Sequence, residues 1–228
     1  MTRIDKGPAA DRSAASAGAA PRDPARGSAR EPARDRILRT ATDLFYAHGI
    51  RGVGIDRIIA DSGVAKATLY AHFRSKDELV LAYLRQADEK WRRMLREAAA
   101  AAAASGNDPR EALTGMFDAI KVTDGGEGGE EGTERGEGGF RGCAFINTAS
   151  ESRPGTAVHE ATIAHKRAVL AWTRDLAEAA GAADPALLAR ELTILLDGAM
   201  SAASLEPVPE VVRAARRAAR AVVDRSCP

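Results

Sequence analysis

The 228 residues carry 33 Lys and Arg against 32 Asp and Glu, a formal net charge of +1, with 45% hydrophobic and 4% aromatic side chains. A chain of this length and composition buries a sizeable core, which excludes collagen-like and wholly disordered classes. Two cysteines, Cys143 and Cys227, with no CxxC or Cys/His cluster, exclude a disulfide-rich scaffold and give no zinc pattern, so neither a metal nor a cofactor is expected.

Residues 1–30 hold six basic and three acidic side chains among Ala, Ser, Gly and Pro. They read as a mildly basic, disordered arm, because their apolar content cannot offset the entropy of ordering. They also lack the apolar stretch of a secretory signal. No longer apolar run than the alanines at 98–104 stands out, far too short to cross a bilayer. The expected compartment is the cytoplasm, with no membrane partner.

Helical signals begin at Pro32, a residue suited to a first helical turn. Ile37, Leu38, Ala41, Leu44 and Phe45 recur at three- and four-residue steps, and Gly49 reads as a left-handed cap. Two short helices follow, over 55–61 and 65–73, joined by a tight turn at Gly63, with Ile58, Ile59, Val64, Leu69 and Phe73 inward. Ser75 and Glu78 form a capping box that opens a long helix ending near Gly106. Asp108-Pro109 starts another, with Leu113, Met116, Phe117 and Ile120 as its apolar stripe.

Residues 124–141 differ, with eight glycines, six acidic and two basic side chains, and read as a flexible acidic insertion. Helices then resume at 143–152, 158–180, 186–203 and 211–223, with Pro207 and Pro209 breaking the chain before the last. No strand alternation is evident, so the fold class is all-α.

The segment 55–73 fits a helix-turn-helix. Gly63 supplies a backbone conformation that other residues resist, so two helices meet at a steep angle. The second helix exposes Lys66, Thr68, Tyr70 and His72. A recognition helix sets such side chains against base edges and phosphates in the major groove. Lys76 sits at the start of the long helix, where free N–H groups and the dipole attract phosphate.

Residues 31–80 resemble the DNA-binding domain of the TetR family of bacterial repressors. The matching pattern runs Ile37, Ala41, Leu44-Phe45, Gly49, Gly52, Ile58, Ala60, Gly63-Val64, Thr68-Leu69-Tyr70, His72-Phe73, Lys76 and Leu79. The resemblance implies DNA contacts at Lys66, Thr68, Tyr70, His72 and Lys76. It also implies an N-terminal three-helix helix-turn-helix domain over 31–80 and a helical bundle over 81–224 for ligand binding and dimerisation. One departure is Gly54, where the family commonly has Ser or Thr, so a phosphate-contacting hydroxyl is missing.

For a ligand pocket the sequence offers Trp91, Met94, Met116, Phe117, Ile120, Phe145, Asn147, His165, Trp172 and Met200, a mostly apolar set with a few polar groups. Each also reads as plain core. His165 and Asp197 are the polar residues to test first. Cys143 opens a Gly-Cys-x-Phe-x-Asn segment and reads as a buried, inert thiol, with a redox sensor as its alternative. Cys227 reads as frayed and without a role. The helices at 186–203 and 211–223 are the candidate dimer interface, since one helix-turn-helix touches too few base pairs for useful specificity.

The leading expectation is a repressor that binds a palindromic double-stranded DNA operator as a homodimer and is released by a small-molecule effector. A ligand-independent regulator or activator is the alternative. A helical enzyme is the competing class; it would need a pairing such as Cys143 with His165, since no catalytic motif is present. Net charge does not oppose DNA binding. Residues 1–80 carry 14 basic and 10 acidic side chains, and the remainder 19 basic and 22 acidic.

Overall fold

The computed structural model describes residues 31–123 and 140–227. The basic arm read over 1–30 and most of the acidic segment read over 124–141 lie outside the described residues. All regular structure among the described residues is helical. The elements are α1 (Ala33–Gly52), α2 (Ile55–Ser62), α3 (Lys66–His72), α4 (Lys76–Gly106), α5 (Pro109–Gly115), a 3-10 turn (Met116–Asp118), α6 (Ala119–Thr123), α7 (Ala144–Glu151), α8 (Ala157–Ala179), α9 (Pro185–Ala202) and α10 (Val208–Ser226).

Two apolar cores form. The first joins Ile37, Phe45, Val53, Ile58, Leu69, Phe73, Leu79 and Tyr83, and takes in Phe145 of α7 and Val158 of α8. Phe45 and Tyr83 meet with ring centroids 5.8 Å apart. The second joins Met94, Leu95, Leu113, Phe117, Val169, Leu188, Leu192, Val212 and Val223. Helix α4 contributes to both, its first turns to one and its middle to the other. The alanine run has a packing role: Gly115 on α5 lies against Ala102 and Ala98, where a side chain has no space.

Local signals set most boundaries. Ser75, Asp108, Thr156 and Asp184 each accept a backbone N–H from the first turn of α4, α5, α8 and α9. Gly63 ends α2 in the left-handed region at φ 64°.

Four details depart from expectation. The break at Pro207 stands, but α10 begins at Val208 rather than 211, with Pro207 as its N-cap and Pro209 in its first turn, where a missing N–H costs nothing. Glu78 reaches past Ser75, its Oε2 accepting the N–H of Arg74 at 2.8 Å. The apolar stripe after Pro109 is split by the 3-10 turn rather than being one helix. Cys227 is not frayed: its side chain is buried in the second core, and its N–H donates to the carbonyl of Val223 at 2.9 Å.

The terminal helix is held by ion pairs as well as by its apolar face. Arg216 donates to Asp118 at 2.6 Å, and Arg220 to Glu111 and to Thr114 Oγ1, all from the α5–α6 region. One turn apart on α10, the two arginines rivet it to the bundle.

Candidate nucleic-acid interface

Helix α3 is only seven residues long and cannot be stable alone, so its placement is set by what it packs on. Leu69 and Phe73 are its anchors, fully or almost fully buried in the first core. Helix α1 adds polar struts. Arg36 Nε donates to the carbonyl of Ser62 at 2.9 Å, tying α1 to the end of α2. Arg34 lies over the ring of Phe73 at 5.3 Å, tying it to the end of α3. Arg57 of α2 donates to His48 Nε2 at 3.1 Å and pairs with Asp61 at 3.5 Å.

With Leu69 and Phe73 inward, the rest of α3 faces solvent. Lys66, Tyr70 and His72 are exposed and Thr68 is half-buried. Tyr70 is 43% exposed, its ring and hydroxyl open to solvent. Lys66 Nζ lies 3.7 Å from Asp56 Oδ1, with both side chains well exposed. An ion pair of that kind is worth at most about 1 kcal/mol and yields easily to a phosphate. Lys76, half-buried, occupies the first position of α4 beside the Ser75 cap. The five predicted DNA-contacting residues thus share α3 and the adjoining start of α4.

The structure adds residues that the sequence reading passed over. Ala67 and Ala71 are exposed on the same outward side of α3. A methyl group there leaves the helix axis free to approach a base edge and meets a thymine methyl well. Exposed Arg74 lies between the two helices. Two alanines among larger polar residues were the available signal. At Gly54, the N-cap of α2, no side-chain cap forms, in keeping with the absent hydroxyl.

The predicted ligand residues divide. Met94, Met116, Phe117, Ile120 and Met200 are buried in the second core, with Trp91 and Trp172 at its edge. Phe145 belongs to the first core and stacks on His165, centroids 3.5 Å apart and planes 5° from parallel. His165 Nδ1 donates to Asp88 Oδ1 at 2.6 Å, and Arg92 also pairs with Asp88. Burial pushes the His165 imidazole below its ordinary value, and the Asp88 contact opposes that only partly. Asp197 pairs with Lys166.

Asn147 lines a cavity of about 190 Å³ between α1, α4 and α7. A second, more apolar cavity of about 360 Å³, at the junction of α4, α5 and α8, includes none of the ten. The other nine line neither of these two cavities.

No hydrogen bond joins Cys143 to His165 among the described residues, and burial raises the Cys143 thiol, which disfavours its thiolate. No cluster of metal-ligating side chains occurs among the described residues, and no described helix is long and apolar enough to cross a membrane.

Comparison with known proteins agrees with this architecture. Residues 37–83 match the family model for bacterial regulatory proteins of the tetR family. A solved TetR-family transcriptional regulator from Streptomyces coelicolor is 38% identical, with 86% of this chain and 96% of that chain covered and a TM-score of 0.70. The transcriptional activator FasR of Mycolicibacterium smegmatis is 33% identical over 92 residues, 40% of this chain and 42% of that protein. The regulator TcmR of Streptomyces glaucescens is 32% identical over 94 residues, 40% of this chain and 39% of that protein. The chain thus spans about two fifths of the length of these curated relatives. The matched residues include the helix-turn-helix whose outward face has just been described, and the structural likeness extends through the bundle beyond it. The chain belongs to the TetR family of DNA-binding transcriptional regulators, which are not enzymes.

Proposed function

We propose that this regulator is a cytoplasmic repressor that binds a palindromic operator as a homodimer and leaves it when a small-molecule effector binds. The observation that carries the reading is the solvent-facing side of α3, where Lys66, Thr68, Tyr70 and His72 stand away from the buried Leu69 and Phe73. Residues 31–80 serve as the reading head, with Lys76 as a phosphate contact, 81–224 as the sensing and dimerising body, and 1–30 as a basic arm.

Dimerisation is supported by α9 and its end. Leu187, Ile194 and Leu205 are 55%, 63% and 87% exposed. Leu187 and Ile194 lie two turns apart on one face of α9, and Leu205 lies in the turn that follows the helix. These exposed apolar side chains on α9 and the turn after it fit an isologous contact with a second copy, α10 completing a four-helix arrangement. The pair presents two α3 helices to half-sites about one helical turn, roughly 34 Å, apart.

Release requires an effector that binds the DNA-incompetent conformation better than the competent one, because equal affinity shifts nothing. Helix α4 enters both cores, so a displacement in the body reaches the head through it. Trp91, Met94, Trp172 and Met200 are the residues of the body to substitute first.

The test is a mobility shift on the protein's own promoter region. Saturable binding is expected from the wild type, with Tyr70→Ala weakened about tenfold, as for the loss of one good contact. Equal binding by the two, or none by the wild type, overturns the reading. An activator is the second reading, favoured by the similarity to the activator FasR. Deleting the gene then lowers transcription from the bound promoter instead of raising it.

A further inference from the structure

We propose that the Glu151 carboxylate of α7, by capping the broken end of α1, positions the helix-turn-helix for DNA. This rests on the DNA-binding reading above.

Helix α1 is interrupted at Gly49, whose φ of 77° and ψ of 159° are not helical, and a last turn over 50–52 follows the break. A turn that restarts after a break has N–H groups with no acceptor four residues earlier. One of these is answered from 100 positions away: Arg51 N–H donates to Glu151 Oε2 at 2.7 Å. The carboxylate does what an N-cap side chain does, with a full charge behind it.

Gly49 makes room for this. A Cβ there would lie 2.3 Å from Glu151 Oε1 and 2.9 Å from its Cδ, and the positive φ disfavours a side chain independently. The missing side chain and the carboxylate are complementary.

The same stretch is gripped one turn earlier. Tyr46 Oη accepts the N–H of Arg141 at 3.0 Å and donates to the carbonyl of Gly142 at 3.3 Å. The Arg141 guanidinium donates to the carbonyl of Ala47. Asn147 Nδ2 holds the carbonyl of Arg141 at 2.8 Å. The segment leading into α7 and α7 itself thus hold α1 from Tyr46 to Arg51. Beyond Arg51 lie Gly52, the fully buried Val53 and the N-cap of α2 at Gly54, so little chain is left to absorb a shift.

The start of α7 is anchored as well, with Phe145 buried in the first core. Phe145 stacks on His165 of α8, which is bonded to Asp88 of α4. Eight helical residues span about 12 Å and move as one piece.

The test uses the full chain and a DNA duplex selected from a random pool by the wild-type protein. Hydrogen exchange over residues 50–55 is measured for wild type, Glu151→Ala and Glu151→Gln, with α9 as internal reference. Anisotropy titrations follow, on the selected duplex, on the same duplex with its half-sites moved apart by two base pairs, and on a scrambled duplex.

In Glu151→Ala, exchange at 50–55 should rise roughly tenfold, as for a lost charge-assisted hydrogen bond, with α9 unchanged. Affinity for the selected duplex should fall by a similar factor, the preference between half-site spacings should shrink, and binding to scrambled DNA should stay the same. Glu151→Gln keeps an acceptor oxygen and should resemble wild type. Gly49→Ala should cost more affinity in the wild-type background than beside Glu151→Ala, because the steric conflict is gone in the second.

Unchanged exchange at 50–55 in Glu151→Ala overturns the proposal. So does faster exchange with affinity and spacing preference within twofold of wild type. If wild type selects no duplex, the DNA-binding reading fails by that result, while the exchange measurement still decides whether the cap exists.

Discussion

Replacing Gly115 with alanine adds one methyl group at a close approach between α4 and α5. A Cβ at Gly115 would lie 2.1 Å from the Ala102 Cβ and 3.2 Å from the carbonyl oxygen of Ala98. Two methyl carbons need about 3.5–4.0 Å, so the helices must part by roughly 1.5 Å. Nothing nearby is loose, because Leu113, Met116 and Phe117 are all fully buried. Overpacking of this sort costs about 1–3 kcal/mol. Alanine regains up to about 1 kcal/mol as the better helix former. The net expectation is a loss of about 1–2 kcal/mol, or a Tm lowered by about 3–7 °C for a chain of this size. Thermal melts at one fixed protein concentration measure it, since association would otherwise shift the midpoint. Ala102→Gly supplies the control. Alone it costs about 1 kcal/mol of helix propensity, but beside Gly115→Ala it removes the facing methyl. The double variant should therefore be more stable than the sum of the singles by about 1 kcal/mol. An unchanged or raised Tm for Gly115→Ala, or strict additivity of the pair, refutes the close-approach argument.

Stability should fall as the solution is acidified below about pH 6.5. The buried imidazole of His165 is held below its ordinary 6.5, so the unfolded chain takes up a proton first, and this loss levels off once the folded-state value is passed. Asp88, Lys166 and Arg92 are the charges that act on it. Urea midpoints at pH 7.5 and 5.5 measure the slope, and His165→Gln, which keeps a donor for Asp88, should flatten it. Ile194→Glu, at a site 63% exposed on α9, should leave the far-ultraviolet spectrum intact and convert a dimer to a monomer in light scattering; a dimer that survives places the interface elsewhere. Arg220→Ala removes the partner of Glu111 and Thr114 and should lower stability by about 1 kcal/mol in urea titration, a modest figure because the guanidinium is partly exposed. No measurable change would mean that the apolar face of α10 alone holds it.

What the amino-acid sequence determined by itself was most of what depends on neighbours along the chain. Helix periodicity, the caps at Ser75, Asp108 and Asp184, and the turn at Gly63 are local physics, so the all-α class and the helix-turn-helix were legible without coordinates. The outward residues of α3 were legible for the same reason, since Leu69 and Phe73 define an inside and hence an outside.

Only the tertiary structure decided which distant elements meet. The turn at 50–52 offers no sign that its cap is Glu151, and nothing around Cys227 marks it as core. The alanine run gives no hint that its partner is a glycine on the next helix. The apolar residues read as a pocket were recognisable as interior, but periodicity says only that a side chain faces inward. Whether the inside is filled or hollow depends on how several helices pack at once; Met116, Phe117 and Ile120 are fully buried there.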